Sequence, residues 1–135
     1  MPAMHGSCRC GKVTFSANTE PAFTGVCHCT NCQKETGSAF AIVIGMPSNE
    51  VTVTGEIKTY TATADSGKQT HKHFCPECGS GITHEADAFP GVTMIGAGSL
   101  DDPSWVKPGM EIYCDSAQPW VSLQGQMHRF PKMPG

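Results

Sequence analysis

The sequence predicts an all-β fold. Three features predict it. Apolar residues alternate with polar ones over short stretches, as in GKVTFSA at residues 11–17. Glycine (15) and proline (10) punctuate those stretches at short intervals. Helical patterning is confined to one short segment. Many brief strands between turn residues are the mark of a sandwich or a pair of sheets.

Along the chain, residues 11–17 predict a half-buried strand, and SAFAIVIG at 38–45 a more continuous apolar one. VTVT at 51–54 and residues 57–62 predict a hairpin around Gly55-Glu56. Residues 31–36 predict one helical turn, stopped by Gly37. Strands are predicted at 70–74 and 81–84, either side of a cysteine turn, and at 92–97, 111–114 and 120–123. Residues 101–105 (DDPSW) predict a loop, and 131–135 a loose tail. Met94, Trp105 and Trp120 are the large side chains expected to fill the core.

A chain of 135 residues, 39% hydrophobic, has the length of one domain, taken as 1–135. Its formal charge is −3 and it has no basic run, so the electrostatic footprint of a nucleic-acid binder is missing. No apolar run approaches membrane-spanning length. The start, MPAMHGSCRC, lacks the charged-then-apolar layout of a secretory signal, so a cytoplasmic location is expected.

Eight cysteines need an explanation. A disulfide scaffold belongs to secreted chains. A thioredoxin-like pair needs a βαβ setting, which is not legible here. The spacing favours metal. Cys8 and Cys10 form C-x-C; Cys27, Cys29 and Cys32 form C-x-C-x-x-C; Cys75 and Cys78 form C-x-x-C; Cys114 stands apart. Glycine follows two of these groups, at Gly11 and Gly79. Glycine tolerates the positive φ that folds a backbone around an ion and turns amides toward sulfur. Two such knuckles suit a closed four-cysteine zinc site whose binding energy becomes folding energy.

Cys27, Cys29 and Cys32 then have no obvious fourth cysteine, the pattern of an open catalytic zinc site. Other arrangements fit the spacing too. Cys114, His71, His73 or His84 could close the trio, and the doublets could be permuted. His28 lies between two of the cysteines; extended neighbours point oppositely, so it is expected to face solvent or substrate. Other zinc chemistries fail on motif. His84-Glu85-Ala86-Asp87-Ala88 stops one histidine short of H-E-x-x-H, and no H-x-E of a deaminase occurs.

Three cysteine-bearing motifs, G-S-C-x-C-G at 6–11, C-x-C-x-x-C-x-x-x-x-G-S at 27–38 and F-C-P-x-C-G-S-G at 74–81, resemble the glutathione-dependent formaldehyde-activating enzymes. That family includes the domain of centromere protein V. The resemblance spans about residues 6–123. Where the family commonly carries His-Ile before its late tryptophan, Glu111-Ile112 stands here. The resemblance implies a β-tent of stacked twisted sheets and two zinc ions. Cys8, Cys10, Cys75 and Cys78 would hold the structural ion; Cys27, Cys29 and Cys32 would hold the catalytic one. It also implies a carbon–sulfur lyase that condenses glutathione with formaldehyde to S-(hydroxymethyl)glutathione.

The chemistry expected is capture of a thiol as thiolate, followed by attack on the aldehyde carbon. Glutathione carries two carboxylates and an ammonium, which makes Arg9, Lys12 and Lys34 candidate anchors. His28 and His73 are candidate proton shuttles, and Cys114 a small core residue. Two other readings are an enzyme acting on a different thiol adduct or small electrophile, and a non-catalytic zinc module that binds a protein partner.

Overall fold

Strands dominate the computed structural model, which describes residues 4–125 and 127–134. A small antiparallel sheet contains β1 (Met4–Ser7), β2 (Thr14–Ala17) and β5 (Val51–Thr54), in the order β1-β2-β5. A larger sheet contains β3 (Phe23–Cys27), β4 (Ala41–Pro47), β6 (Lys58–Thr63), β7 (Gln69–Phe74), β8 (Gly81–Ala86), β9 (Val92–Gly96), β10 (Met110–Ile112) and β11 (His128–Arg129). Its order is β11-β10-β3-β4-β9-β8-β7-β6. One α-helix, α1 (Thr30–Thr36), leaves the end of β3. The all-β expectation holds.

The core lies between the sheets. Met4, Val13, Phe15 and Ala17 from the small sheet and its approach pack with Ile44, Met46, Ile82 and Ile95 from the large one. The alternation in β2 reports a strand with one buried face, Phe15 and Ala17 inward. The unbroken apolar run of β4 has a different cause: the strand sits between β3 and β9, and Val43 to Met46 are all buried.

Several expectations need correction. The segments 51–54 and 57–62 do not form a hairpin. β5 pairs with β2, Val53 opposite Phe15, whereas β6 pairs with β7, Thr59 opposite His73. Gly55 (φ 113°) lies where the chain passes from one sheet to the other, and a Cβ there would collide with the Lys12 carbonyl. The glycine marks a close backbone approach rather than a two-residue turn. Residues 120–123 are not a strand: the Val121 N–H closes a turn onto the Gln118 carbonyl, and Trp120 is 73% exposed rather than in the core. Trp105 does pack against the core, and Met94 is half-buried in β9. β1, β3 and β11 are strands that the alternation did not reveal. The end of the chain is strapped down, with the Tyr113, Cys114 and Asp115 amides donating to the carbonyls of Lys132, Phe130 and Pro131. Gly135, also expected in the tail, lies outside the described residues.

Candidate metal centres and cleft

Two turns build the first centre. Cys8 follows β1 and Cys75 follows β7, so the sheets bring Cys10 and Cys75, 65 apart in sequence, side by side. The ligand atoms of Cys8, Cys10, Cys75 and Cys78 all lie within 4.8 Å of one another. Cys8 Sγ is 3.5 Å from Cys10 Sγ, which is 3.7 Å from Cys75 Sγ. Zinc–sulfur bonds of about 2.3 Å in a tetrahedron put sulfurs about 3.8 Å apart, so the spacing fits that ion. Gly11 and Gly79 both take positive φ, 82° and 78°, as the knuckle argument requires. Each closes its turn, with the Gly11 N–H donating to the Cys8 carbonyl and the Gly79 N–H to that of Cys75. The Val13 amide donates to Cys8 Sγ at 3.3 Å. Ser80 ties the knuckles together: its hydroxyl accepts from the Arg9 amide and sits 3.3 Å from Cys78 Sγ. That hydroxyl, with the Ser80 and Cys10 amides, draws the Cys78 thiol down to about 5.

The second group forms where β3 runs into α1. Cys27 ends the strand, Cys29 caps the helix and Cys32 sits in its first turn. The Cys32 N–H donates to Cys29 Sγ at 3.3 Å, so the cap is itself a sulfur stabilised by an amide. At the other end Gly37 (φ 69°) stops the helix as expected, its N–H donating to the Gln33 carbonyl. The three sulfurs lie within 4.8 Å of one another, and among the described residues no histidine, carboxylate or fourth cysteine shares their group. Their titration is strongly coupled. Cys27 and Cys32 lower the Cys29 thiol far below its usual range, while the same contacts push Cys27 and Cys32 up. One thiolate suppresses the next, and a divalent cation is what would relieve that repulsion.

His28 does not face solvent or substrate. It does point away from its cysteine neighbours, but into the protein, and is 1% exposed. Its Nε2 lies 2.8 Å from Oε1 of Glu111, whose Oε2 lies 3.4 Å from Nε of Arg129; Nδ1 is buried with no partner. The pairing of β3 with β10 sets Glu111 beside Val26 and so delivers its carboxylate to His28. Cys114 is half-buried rather than a core residue, and groups with His28 and Glu111 behind the trio. Gln33 pins the helix from the same side, its amide donating to the carbonyls of His28 (2.6 Å) and Ser116 (3.0 Å).

The remaining candidates separate. Arg9 and Lys12 are exposed beside the four-cysteine centre, Lys12 facing Glu77 at 3.9 Å. His73 is held between Glu85 and Thr59, and His71 between Asp87 and Thr61. Lys34 lines a cleft of about 620 Å³ with Cys29, Cys32, Tyr60, Asp65 and Tyr113. A second hollow of about 510 Å³ begins on the other side of Cys32. Lys72, Glu35 and His84 border both. Burial, then the nearby Lys72 charge, lowers His84 to about 4, so it stays neutral there. Lys72 and Tyr113 were not singled out from the sequence. Tyr113 carries no sequence signal, since its left-handed backbone (φ 57°) is visible only in the fold. Lys72 has a weak one, a lysine between two histidines on a strand that leads to a metal knuckle.

A family model described as glutathione-dependent formaldehyde-activating enzyme matches residues 3–116. A Talaromyces marneffei protein provisionally named for that activity is 26% identical over 112 residues, covering 81% of this chain and 59% of the relative. A Penicillium rubens protein with the same provisional name is 26% identical over 104 residues, covering 75% of this chain and 54% of its own. The chain thus spans little more than half the length of these relatives. A crystal structure of a Rhodobacter sphaeroides protein shares the fold, with a TM-score of 0.60 at 21% identity over 78% of this chain and 92% of that one. With its motifs at 6–11, 27–38 and 74–81 all inside the matched span, this chain belongs to the glutathione-dependent formaldehyde-activating enzyme family.

Proposed function

We propose that this chain is a zinc-dependent carbon–sulfur lyase that condenses glutathione, or a related thiol, with formaldehyde in the cytoplasm. One observation carries the reading: of three mutually close thiols, two, Cys29 and Cys32, border an open cleft large enough for a tripeptide. Cys8, Cys10, Cys75 and Cys78 are assigned a structural zinc, and Cys27, Cys29 and Cys32 a catalytic one. Bound at the trio, zinc would supply a position for the incoming thiol and keep it ionised near neutral pH.

The chain's own residues do the rest. The Cys32 amide on Cys29 Sγ and the Gln33 clamp hold the trio in place before substrate arrives. Lys34 offers its ammonium to a glutathione carboxylate, and Asp65 offers a partner for the ammonium. Tyr60 and Tyr113 flank the peptide. The substrate sulfur attacks the formaldehyde carbon, the C–S bond forms, and the carbonyl oxygen takes the proton that the thiol gave up, relayed by water at the cleft mouth. The reverse reaction breaks the same bond.

The test is the exchange rate between glutathione and formaldehyde, followed by NMR with no protein, with the zinc-loaded protein and with Cys29→Ser. Acceleration by the parent and not by the variant is expected. Equal rates in all three overturn the reading and leave a zinc module that does no chemistry.

A further inference from the structure

Formaldehyde gives glutathione a substituent of one carbon and one oxygen. Two atoms of that size occupy about as much space as two waters, roughly 60 Å³ at about 30 Å³ each. The hollow beyond Cys32 measures about 510 Å³. The cleft at Cys29 is bordered by Lys34, Asp65 and two tyrosines. The hollow has one wall of Phe40, Ala41, Ile42, Val43 and Ile82, and Thr36, Ser80 and Thr83 also border it. The two meet at Cys32, at the Lys72–Glu35 pair (3.4 Å) and at the neutral imidazole of His84.

Gly96 lies along this hollow at the end of β9. Its φ of −71° suits any residue, so the backbone does not require glycine. A Cβ built there meets nothing within 4 Å, and the same holds at Gly98. The missing side chains keep space open rather than relieve a clash.

We infer that the natural adduct is larger than S-(hydroxymethyl)glutathione: the aldehyde partner carries an apolar chain of several carbons, seated in the hollow of Phe40, Ile42, Ile82 and Gly96. The inference rests on the thiol–aldehyde reading above. The step is the same addition. The thiol sulfur bonds to the aldehyde carbon, the C=O π pair moves to oxygen, and that oxygen takes the proton the thiol gives up. Nothing is oxidised or reduced. With sulfur at the trio, the charged peptide extends one way, toward Lys34 and Asp65, and the alkyl chain the other way. A hydrophobic wall next to a charged cleft sorts the two limbs without a dedicated contact for each.

The experiment compares two stable thioethers, S-hexylglutathione and S-methylglutathione, titrated calorimetrically into the zinc-loaded protein. Burying five further methylenes predicts affinity at least about tenfold higher for the hexyl compound. Gly96→Leu, checked for unchanged melting and zinc content, narrows the hollow and should lower that ratio several-fold. Gly98→Leu serves if Gly96→Leu does not fold, and the parent's ratio needs neither variant. Equal affinity for the two thioethers, or no binding of either, overturns the inference, as does a hexyl advantage that the variant leaves unchanged. The formaldehyde exchange assay separates the two failures. Acceleration there without a hexyl advantage removes only the longer substrate, whereas no acceleration and no binding remove both readings.

Discussion

The buried His28–Glu111 pair offers the sharpest test of how the trio is supported. Glu111→Leu removes the carboxylate that lies 2.8 Å from Nε2 of a ring 1% exposed. Hydrogen bonds to charged groups contribute about 1.5–3 kcal/mol each. Nδ1 already lacks a partner, so the ring would be left with both nitrogens dry. A total near 3 kcal/mol is expected, the lower end of what breaking a buried pair costs, about 3–5 kcal/mol. For a chain of this length, about 3 °C of melting temperature accompanies each kcal/mol, so the midpoint should fall by about 10 °C. Glu111→Gln keeps the shape and one acceptor and should lose about 1 kcal/mol. Adding His28→Phe to Glu111→Leu replaces both partners by apolar groups, and most of the loss should return. Urea unfolding of the zinc-loaded parent, Glu111→Leu, His28→Phe and the double variant reads the cycle. A Glu111→Leu loss under about 0.5 kcal/mol, or strictly additive single and double variants, would refute the claim that this pair holds the segment running from Cys27 to Cys29.

Three further expectations follow from the same geometry. Cys75→Ser should abolish metal binding at the proposed structural centre and unfold the protein near ambient temperature, read by metal analysis and circular dichroism, because the four-cysteine group joins the first turn to the middle of the chain. His84, lowered by burial to about 4 from its ordinary value near 6.5, takes up its proton in the unfolded chain first, so its contribution is complete above about 6.5 and is lost as pH falls toward 4. The loss is about 3 kcal/mol, measured as the difference in acid unfolding between parent and His84→Leu at equal zinc loading, so that metal release common to both cancels. Tyr113 holds a left-handed backbone, φ 57°, that costs a non-glycine residue about 1 kcal/mol; Tyr113→Gly should therefore be about 1 kcal/mol more stable than Tyr113→Ala in thermal melts, while both slow the exchange reaction.

What the sequence determined by itself is local. The two doublets each followed by glycine imply knuckles, and Gly11 and Gly79 both take the positive φ that this needs. Gly37 stops α1 by the same backbone freedom. Sulfurs two or three residues apart on a turn converge, so the three local cysteine groups are readable; that Cys8 and Cys10 join Cys75 and Cys78, leaving Cys27, Cys29 and Cys32 together, was implied only by the family resemblance and needs strands far apart in the chain to meet. The tertiary structure decided everything that depends on distant partners. Whether 51–54 paired with its neighbour or with β2 turned on where Gly55 passes the Lys12 backbone. His28 pointed away from its cysteines as extended geometry demands, but whether that direction held water or Glu111, 83 residues away, was set by the pairing of β3 with β10. The two hollows that meet at Cys32 draw walls from α1, β4, β6, β7, β8 and β9, elements whose proximity no local pattern encodes. Ligand spacing and φ act within a few bonds; burial, pairing and cavity shape exist only after strands far apart in the chain have met.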